Sequence, residues 1–366
     1  MEIESAISEW LRKDRTEPAK MPPGFTPPYE LYTARFPKVI KDIVMAIIGV
    51  QYKSAELNDG TSLKKISSFI SSDVVDPTAR PAFHEVAAVT DNHGFYNVAL
   101  FAYWPSTEAY REWSVNSGFN GWWSKLEPDG EAGHGWFMEV FLPTADRLET
   151  VFTTATPEGA AHMREKLSGP IKEHVYWGSM RDRLPISQTD KLLGEDSDDQ
   201  SHVKAPVANG TSLSRRVRVP GKKNLAVIRS GQDWSAALEE ERELYLKSMQ
   251  PPLIRGMEYL RDHGDEVGCF SCRFMDIVDP ITGNVEGSGT ERTFGLAYFD
   301  TLSSLERWSK EHRTHLAIFG EFGKYAKRLG DRMSLSLFHE VLVLEADQQF
   351  FEYIGCHGGT GMLRSL

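Results

Sequence analysis

Cysteine is scarce in this chain, and the scarcity excludes a good deal. Three cysteines in 366 residues cannot build a disulfide framework. Cys269 and Cys272 form a lone Cys-x-x-Cys in an apparent strand, where residues three apart point to opposite faces. That spacing does not grip one metal, and no second ligand pair completes a zinc site. The two read as buried or half-buried structural thiols. Positive charge is also in deficit: 41 Lys and Arg against 52 Asp and Glu leave a net charge of -11. A negative field argues against nucleic-acid or anionic-membrane partners. The one basic run, Arg215-Arg216-Val217-Arg218, reads as a solvated connection. No apolar run approaches membrane-spanning length, and residues 1–15 lack the apolar core of a signal peptide; the expected location is the cytoplasm. Ser230 has no Gly-x-Ser-x-Gly around it, and no Walker or Rossmann glycine loop occurs.

What is present is apolar mass. The chain is 40% hydrophobic and 11% aromatic, enough for about two domains. The proline-rich residues 16–37 predict an extended arm. Strand patterns then cover residues 43–52, 83–89, 95–104 and 135–142, with helices over 61–72 and 106–114. The order is β-α-β-β-α-β, the ferredoxin-like unit. Residues 145–152 predict a helix that opens a connecting segment reaching Asp190. The same order recurs. Strands are expected over 224–229, 267–278 and 292–299, with a helical region over 234–263 interrupted near Pro251-Pro252. A helix over 301–319 and a strand over 334–344 complete it. Ala102-Tyr103-Trp104 with Trp113-Ser114 matches Ala297-Tyr298-Phe299 with Trp308-Ser309. Phe137-Met138-Glu139-Val140 with Ala145-Asp146 matches Phe338-His339-Glu340-Val341 with Ala346-Asp347. Blocks in common order indicate internal duplication. The organisation expected is an arm (1–40), a first repeat with its connection (41–190), a polar linker (191–222) and a second repeat with a tail (223–366).

Most candidate site residues lie in the second repeat, with Arg183 in the connection before the linker. Leu305, Trp308, His312, His315 and Phe319 fall on one helical stripe, with Ser303 and Glu306 as a capping box. A histidine on a buried stripe either finds a carbonyl partner or ligates a metal, and spacing alone leaves His312 and His315 both open. His339 lies in a strand where the first repeat has Met138, and His315 falls opposite Asn120; the first repeat has neither histidine. Arg183, just before Leu184-Pro185, is either a surface ion-pair partner or a donor aimed into a pocket. Ser230, taken as a strand-to-helix turn, is either a helix cap or a ligand-binding hydroxyl.

The sequence resembles the haem-containing aldoxime dehydratases. The resemblance rests on Tyr176-Trp177-Gly178-Ser179-Met180-Arg181-Asp182-Arg183 with Pro185-Ile186-Ser187-Gln188-Thr189-Asp190, and on Ile228-Arg229-Ser230-Gly231-Gln232-Asp233-Trp234. Thr314-His315-Leu316, His339-Glu340-Val341 and the tail blocks Phe351-Glu352-Tyr353-Ile354 and Thr360-Gly361-Met362-Leu363-Arg364 extend it. It implies an α+β barrel of ferredoxin-like repeats flanked by helices, a homodimer, and haem b acting with ferrous iron. It implies conversion of R-CH=N-OH to R-C≡N plus water. By position, His315 would be the axial ligand and His339 the distal acid–base residue. Ser230 and Arg183 would hold the oxime oxygen, and Glu149 would belong to the distal network. Two other classes stay open at this stage: a haem peroxidase or chlorite-decomposing enzyme of related barrel fold, and a haem-binding protein without catalysis.

Overall fold

A computed structural model describes residues 3–128, 134–195, 214–284 and 291–366; much of the expected linker over 191–222 lies outside them. Thirteen strands are described: β1 (Ala34–Arg35), β2 (Val44–Tyr52), β3 (Phe83–Thr90), β4 (Tyr96–Trp104), β5 (His134–Phe141), β6 (Leu148–Phe152) and β7 (Lys166–Leu167). The others are β8 (Arg216–Val219), β9 (Leu225–Asp233), β10 (Cys269–Ile277), β11 (Arg292–Phe299), β12 (Ser336–Leu344) and β13 (Gln349–Ile354). The helices are α1 (Thr61–Ile70), α2 (Thr107–Asn116), α3 (Phe119–Trp123), α4 (Ser179–Arg183), α5 (Glu239–Leu244), α6 (Gln250–His263), α7 (Leu302–Glu311) and α8 (Arg313–Leu329).

Eleven strands form one curled antiparallel sheet, ordered β6-β12-β9-β11-β10-β3-β4-β2-β5-β13-β8. The expected duplication is visible in that order. The block β3-β4-β2-β5 is repeated as β10-β11-β9-β12, and the blocks meet where Asp276 pairs with Ala88 and Ile277 with Ala87. Register fixes the equivalences. Ile48 faces Met138 in the first copy, and Ser230 faces His339 in the second. Val140 faces Phe350, and Val341 faces Glu149. The strands flanking the two blocks are exchanged: β6 follows the first copy in sequence but pairs with the second, while β13 follows the second and pairs with the first, with β8 outside it at the edge.

The interior face is apolar around Ile47, Phe101, Phe137, Phe294, Leu296, Phe338 and Phe351. Buried charges inside it are matched across the copies, as burial of charge requires. Tyr103 donates to Glu340 and Tyr298 to Glu139, residues at equivalent positions. Arg229, wholly buried, pairs with Glu85 and Glu340, and Arg273 pairs with Glu139.

Several expectations are corrected. Residues 145–152 are not a helix: a short 3-10 turn, Ala145–Arg147, leads into strand β6, buried along its whole length. Ser230 lies inside β9, not at a turn before a helix. The single helix over 301–319 is two, because His312 adopts an extended backbone (ψ 130°) and its ring accepts from the Thr314 amide to cap α8. The first cap is Thr301, whose hydroxyl accepts from the Ser304 amide; Ser303 and Glu306 instead receive Arg181. The interruption after Trp234 is a π turn, Tyr245–Met249. Arg216 and Arg218 belong to the edge strand β8 and pair with Glu352. A bulge between Cys269 and Ser271 brings Cys269 and Cys272 into the same apolar cluster, where burial pushes both thiols up.

Candidate functional site

Strand alternation assembles the site. Ser230 on β9 stands beside His339 on β12, and His339 stands beside Val151 on β6. Two residues along, the same face carries Ile228, Val341 and Glu149. The face opposite carries Arg229, Phe338 and Glu340 into the core. Gly231 permits this register, because a Cβ there would lie 2.0 Å from the Phe338 ring.

Glu149 and Arg183 form a bidentate pair. Arg183 Nε donates to Glu149 Oε2 at 2.7 Å and Nη2 to Oε1 at 2.9 Å. Nη1 donates to the Glu173 carbonyl at 2.9 Å. The two side chains are 4% and 1% exposed, so the fork is held in a dry setting where charge-assisted bonds are strong. Burial raises the Glu149 carboxyl, opposed by the Arg183 charge. Arg183 is placed by α4 and by its neighbour Asp182, whose carboxylate accepts from the Lys20 and Met21 amides and the Tyr176 hydroxyl. The N-terminal arm therefore clamps the segment that carries Arg183.

His339 is driven to about 3 by burial, with Arg183 and His315 adding to the effect. His315, on α8, is driven to about 4 by burial. Its ring lies 4.8 Å from Trp308 and 6.3 Å from Trp177, both edge-on. His312 is differently engaged: its Nδ1 meets the Thr314 hydroxyl at 2.8 Å and its ring stacks on Tyr259 at 4.0 Å. The ring that remains available is that of His315.

The two copies differ in what lies between helix layer and sheet. In the first copy the face carries Ile48, Met138 and Phe350, and α3 supplies Phe119, Trp122 and Trp123; all belong to or pack against one apolar cluster. Counting from the equivalent caps Ser106 and Thr301, these three positions in α8 are Thr314, Ala317 and Ile318. The second copy has a longer helix, 17 residues against 5, yet smaller side chains. Leu316, Phe319 and Trp177 remain 41%, 46% and 41% exposed. Among the described residues the buried Trp308 Nε1 has no hydrogen-bond partner, and the buried His315 Nδ1 has no more than weak support from the Ser309 backbone. A desolvated imidazole on the helix layer facing a polar set on the sheet, with exposed apolar side chains beside it, is a donor set that would suit a haem.

Of the five residues singled out from sequence, Glu149, Ser230 and His339 share one face of the sheet, Arg183 pairs with Glu149 there, and His315 on α8 lies close enough to lower His339. Sequence reasoning missed Glu173 and Asp182 as supports, although the density of aromatics and donors over 174–183 marked the segment. It also missed the strand that carries Glu149.

Residues 46–362 match the haem-containing dehydratase family. Aliphatic aldoxime dehydratases of Rhodococcus globerulus and Pseudomonas chlororaphis are 37% and 38% identical, each over 99% of this chain and 98% of the relative. A phenylacetaldoxime dehydratase of Bacillus sp. (strain OxB-1) is 30% identical over 94% of this chain and 93% of its own. A crystal structure of an aldoxime dehydratase in complex with butyraldoxime superposes with a TM-score of 0.86 at 36% identity, covering 99% of this chain and 96% of that one.

Proposed function

This chain belongs to the haem-containing dehydratases, and from that premise we propose that it dehydrates aldoximes to nitriles at the cleft between α8 and the β6-β12-β9 face. One observation carries the reading: the polar set Ser230, His339 and Glu149 replaces Ile48, Met138 and Phe350 of the other copy. Ser230 and His339 are half-buried, but a fully buried carboxylate at the position of Phe350 costs desolvation that an apolar residue there avoids, which packing alone does not require.

His315 would hold haem b through its imidazole, as the residue whose ring is desolvated and uncommitted. Bound there with ferrous iron, the haem supplies a Lewis acid for the oxime nitrogen lone pair. The remaining work falls to side chains. Ser230 and Arg183 hold the oxime oxygen by hydrogen bonds, a positioning and electrostatic role. His339 gives a proton to the departing oxygen and takes one from the aldoxime carbon, so the cycle consumes no net proton. One imidazole suits both transfers because its protonated form gives the proton and the neutral form left behind takes the next one. Burial and the Arg183 charge favour its neutral form, which is the form that accepts the carbon's proton. Glu149 fixes Arg183 through both carboxylate oxygens and thereby fixes the donor geometry.

The test is anaerobic reduction with dithionite followed by addition of an aliphatic or aryl aldoxime. Nitrile should form catalytically. Turnover of peroxide or chlorite by the ferric protein without nitrile formation would move the protein to the other haem-barrel class, and haem binding without either reaction would leave it a carrier.

A further inference from the structure

The sheet face that carries Ser230 continues past it. Ser230 pairs with Gly295 on β11, and Gly295 pairs with Phe274 on β10. Directly paired residues project to one face, so a single row runs from His339 through Ser230 and Gly295 to Phe274. The row is polar at one end and apolar at the other. Gly295 contributes no side chain, and the space over it is taken by Met257 of α6: a Cβ at Gly295 would lie 2.7 Å from the Met257 sulfur. Met257 is half-buried, and Cys272 Sγ lies 3.9 Å from that sulfur. α6 is fixed against α8 by the preceding residue, where a Cβ on Gly256 would lie 2.8 Å from Ile318 and 4.0 Å from Thr314, the neighbour of His315. Met257 also lines a cavity of about 330 Å³, within the range of small-ligand pockets. Phe274, Asp276 and Thr293, on the same sheet face, and Ile254 of α6 line it too; Ser230 and His339 do not. In the strand order β9-β11-β10, Met257 therefore stands between Ser230 and that cavity.

We propose that Met257 sets the length of the R group this protein accepts, and that the cavity behind it receives a longer R group once Met257 is cut back; this rests on the aldoxime-dehydratase reading. An aldoxime held by its oxygen at Ser230 has the first atom of R three bonds away. On the β12 side of Ser230 stand His339 and then the Glu149–Arg183 pair. An apolar group pressed against those would strip water from polar atoms and return no hydrogen bond. On the β11 side stand a bare glycine and a thioether. An apolar R group is directed to that side, and its end meets Met257. Methionine is unbranched, with three rotatable bonds, and yields to the shape beside it. The wild-type wall therefore grades substrates by length instead of stopping them at one size.

The experiment compares kcat/KM for acetaldoxime and octanaldoxime in the reduced, haem-loaded protein. Met257→Ala should raise the octanaldoxime-to-acetaldoxime ratio by about tenfold or more, the discrimination that a methylene or two carries in an apolar pocket. Met257→Phe should lower the ratio. Adding Ile254→Trp to Met257→Ala fills the cavity from the same helix and should take back most of the gain, a coupling expected of residues that share one space. The dissociation constant of octanaldoxime, read from the ferrous spectrum on rapid mixing, should fall in Met257→Ala and rise in Met257→Phe. An unchanged ratio in both Met257 variants, or a gain that survives Ile254→Trp undiminished, would overturn the inference. Should Met257→Ala fail to accumulate, Met257→Val is read by the same criteria. Wild-type nitrile formation is the control: its absence refutes the parent reading and this inference with it, whereas an unchanged ratio beside an active wild type refutes only the role of Met257.

Discussion

The Glu149–Arg183 pair offers the sharpest separation of stability from function. Both side chains are almost fully buried and joined by two bonds of 2.7 and 2.9 Å. Glu149→Leu alone leaves a buried guanidinium without its counter-charge, and Arg183→Met alone leaves a buried carboxylate. Each single change should cost about 3–5 kcal/mol. The double change Glu149→Leu with Arg183→Met removes both charges and replaces them with apolar groups of similar reach. It should return to within about 1 kcal/mol of wild type, or exceed it by about 1–4 kcal/mol. Turnover should not return. With the oxime-oxygen donor gone, nitrile formation per ferrous haem should stay down by about 100-fold or more. Stability is read by urea unfolding of the apo and haem-loaded forms, and turnover by initial nitrile formation under argon. A double variant that is both stable and fully active would refute the reasoning, because the pair would then be structural only. Single variants that lose under about 1 kcal/mol would show that the pair is solvated in solution.

The other predictions follow from the same geometry. His315→Ala should lose haem while His312→Ala keeps it, judged by haem content and Soret absorbance of the purified proteins; the reverse would make His312 the ligand. His339→Met, which installs the residue of the other copy, should keep haem and the aldoxime-induced change in the ferrous spectrum, yet lose about 100-fold or more in turnover, and an unchanged rate would remove His339 from the reaction; Ser230→Ala should behave likewise. His174, buried with its ring 5.6 Å from that of Tyr29, is held down to about 4, by burial first, while the unfolded chain takes up that proton near 6.5. The unfolded state therefore binds more protons between those values, and stability should fall as pH drops from about 6.5 to about 4. His174→Phe should flatten that slope by about 1–3 kcal/mol in urea unfolding across the range, and an identical pH dependence would contradict it. Sedimentation should give a species of twice 41.3 kDa at micromolar concentration; a monomer alone would contradict the expected homodimer.

How far the sequence reached depended on whether the physics was local. The repeat was legible because Ala102-Tyr103-Trp104 and Ala297-Tyr298-Phe299 are strand blocks with a strong apolar signal, and because both are followed by a capped helix. The position of His339 opposite Met138 was legible for the same reason, and strand register places both on the same face. β6 was not legible. A strand buried on both faces shows no alternation, and Ala145-Asp146-Arg147 begins it with a helical turn. What makes Leu148–Phe152 a strand is its partner β12, nearly two hundred residues away. Ser230 failed for a related reason. Gly231 resembles the end of a strand, yet it is there because Phe338 leaves no space for a side chain.

Edge-strand exchange ties these failures together and bears on the site itself. β6 belongs by sequence to the first copy but completes the second, so Glu149 reaches Arg183 and the His339 face only through the duplicated fold. β13 makes the reciprocal crossing and delivers Phe350 to the equivalent position, where no charge is needed. One copy then closes its helix–sheet gap with Phe119, Trp122 and Trp123. The other has a longer helix there and sets Ser230, His339 and Glu149 on the facing sheet in place of apolar side chains. The tryptophan-packed copy shows that the same scaffold can carry an apolar helix–sheet contact at these positions. Haem bound beside the face of Ser230 and His339 should raise the stability of the second copy, read as a higher melting temperature of the haem-loaded form.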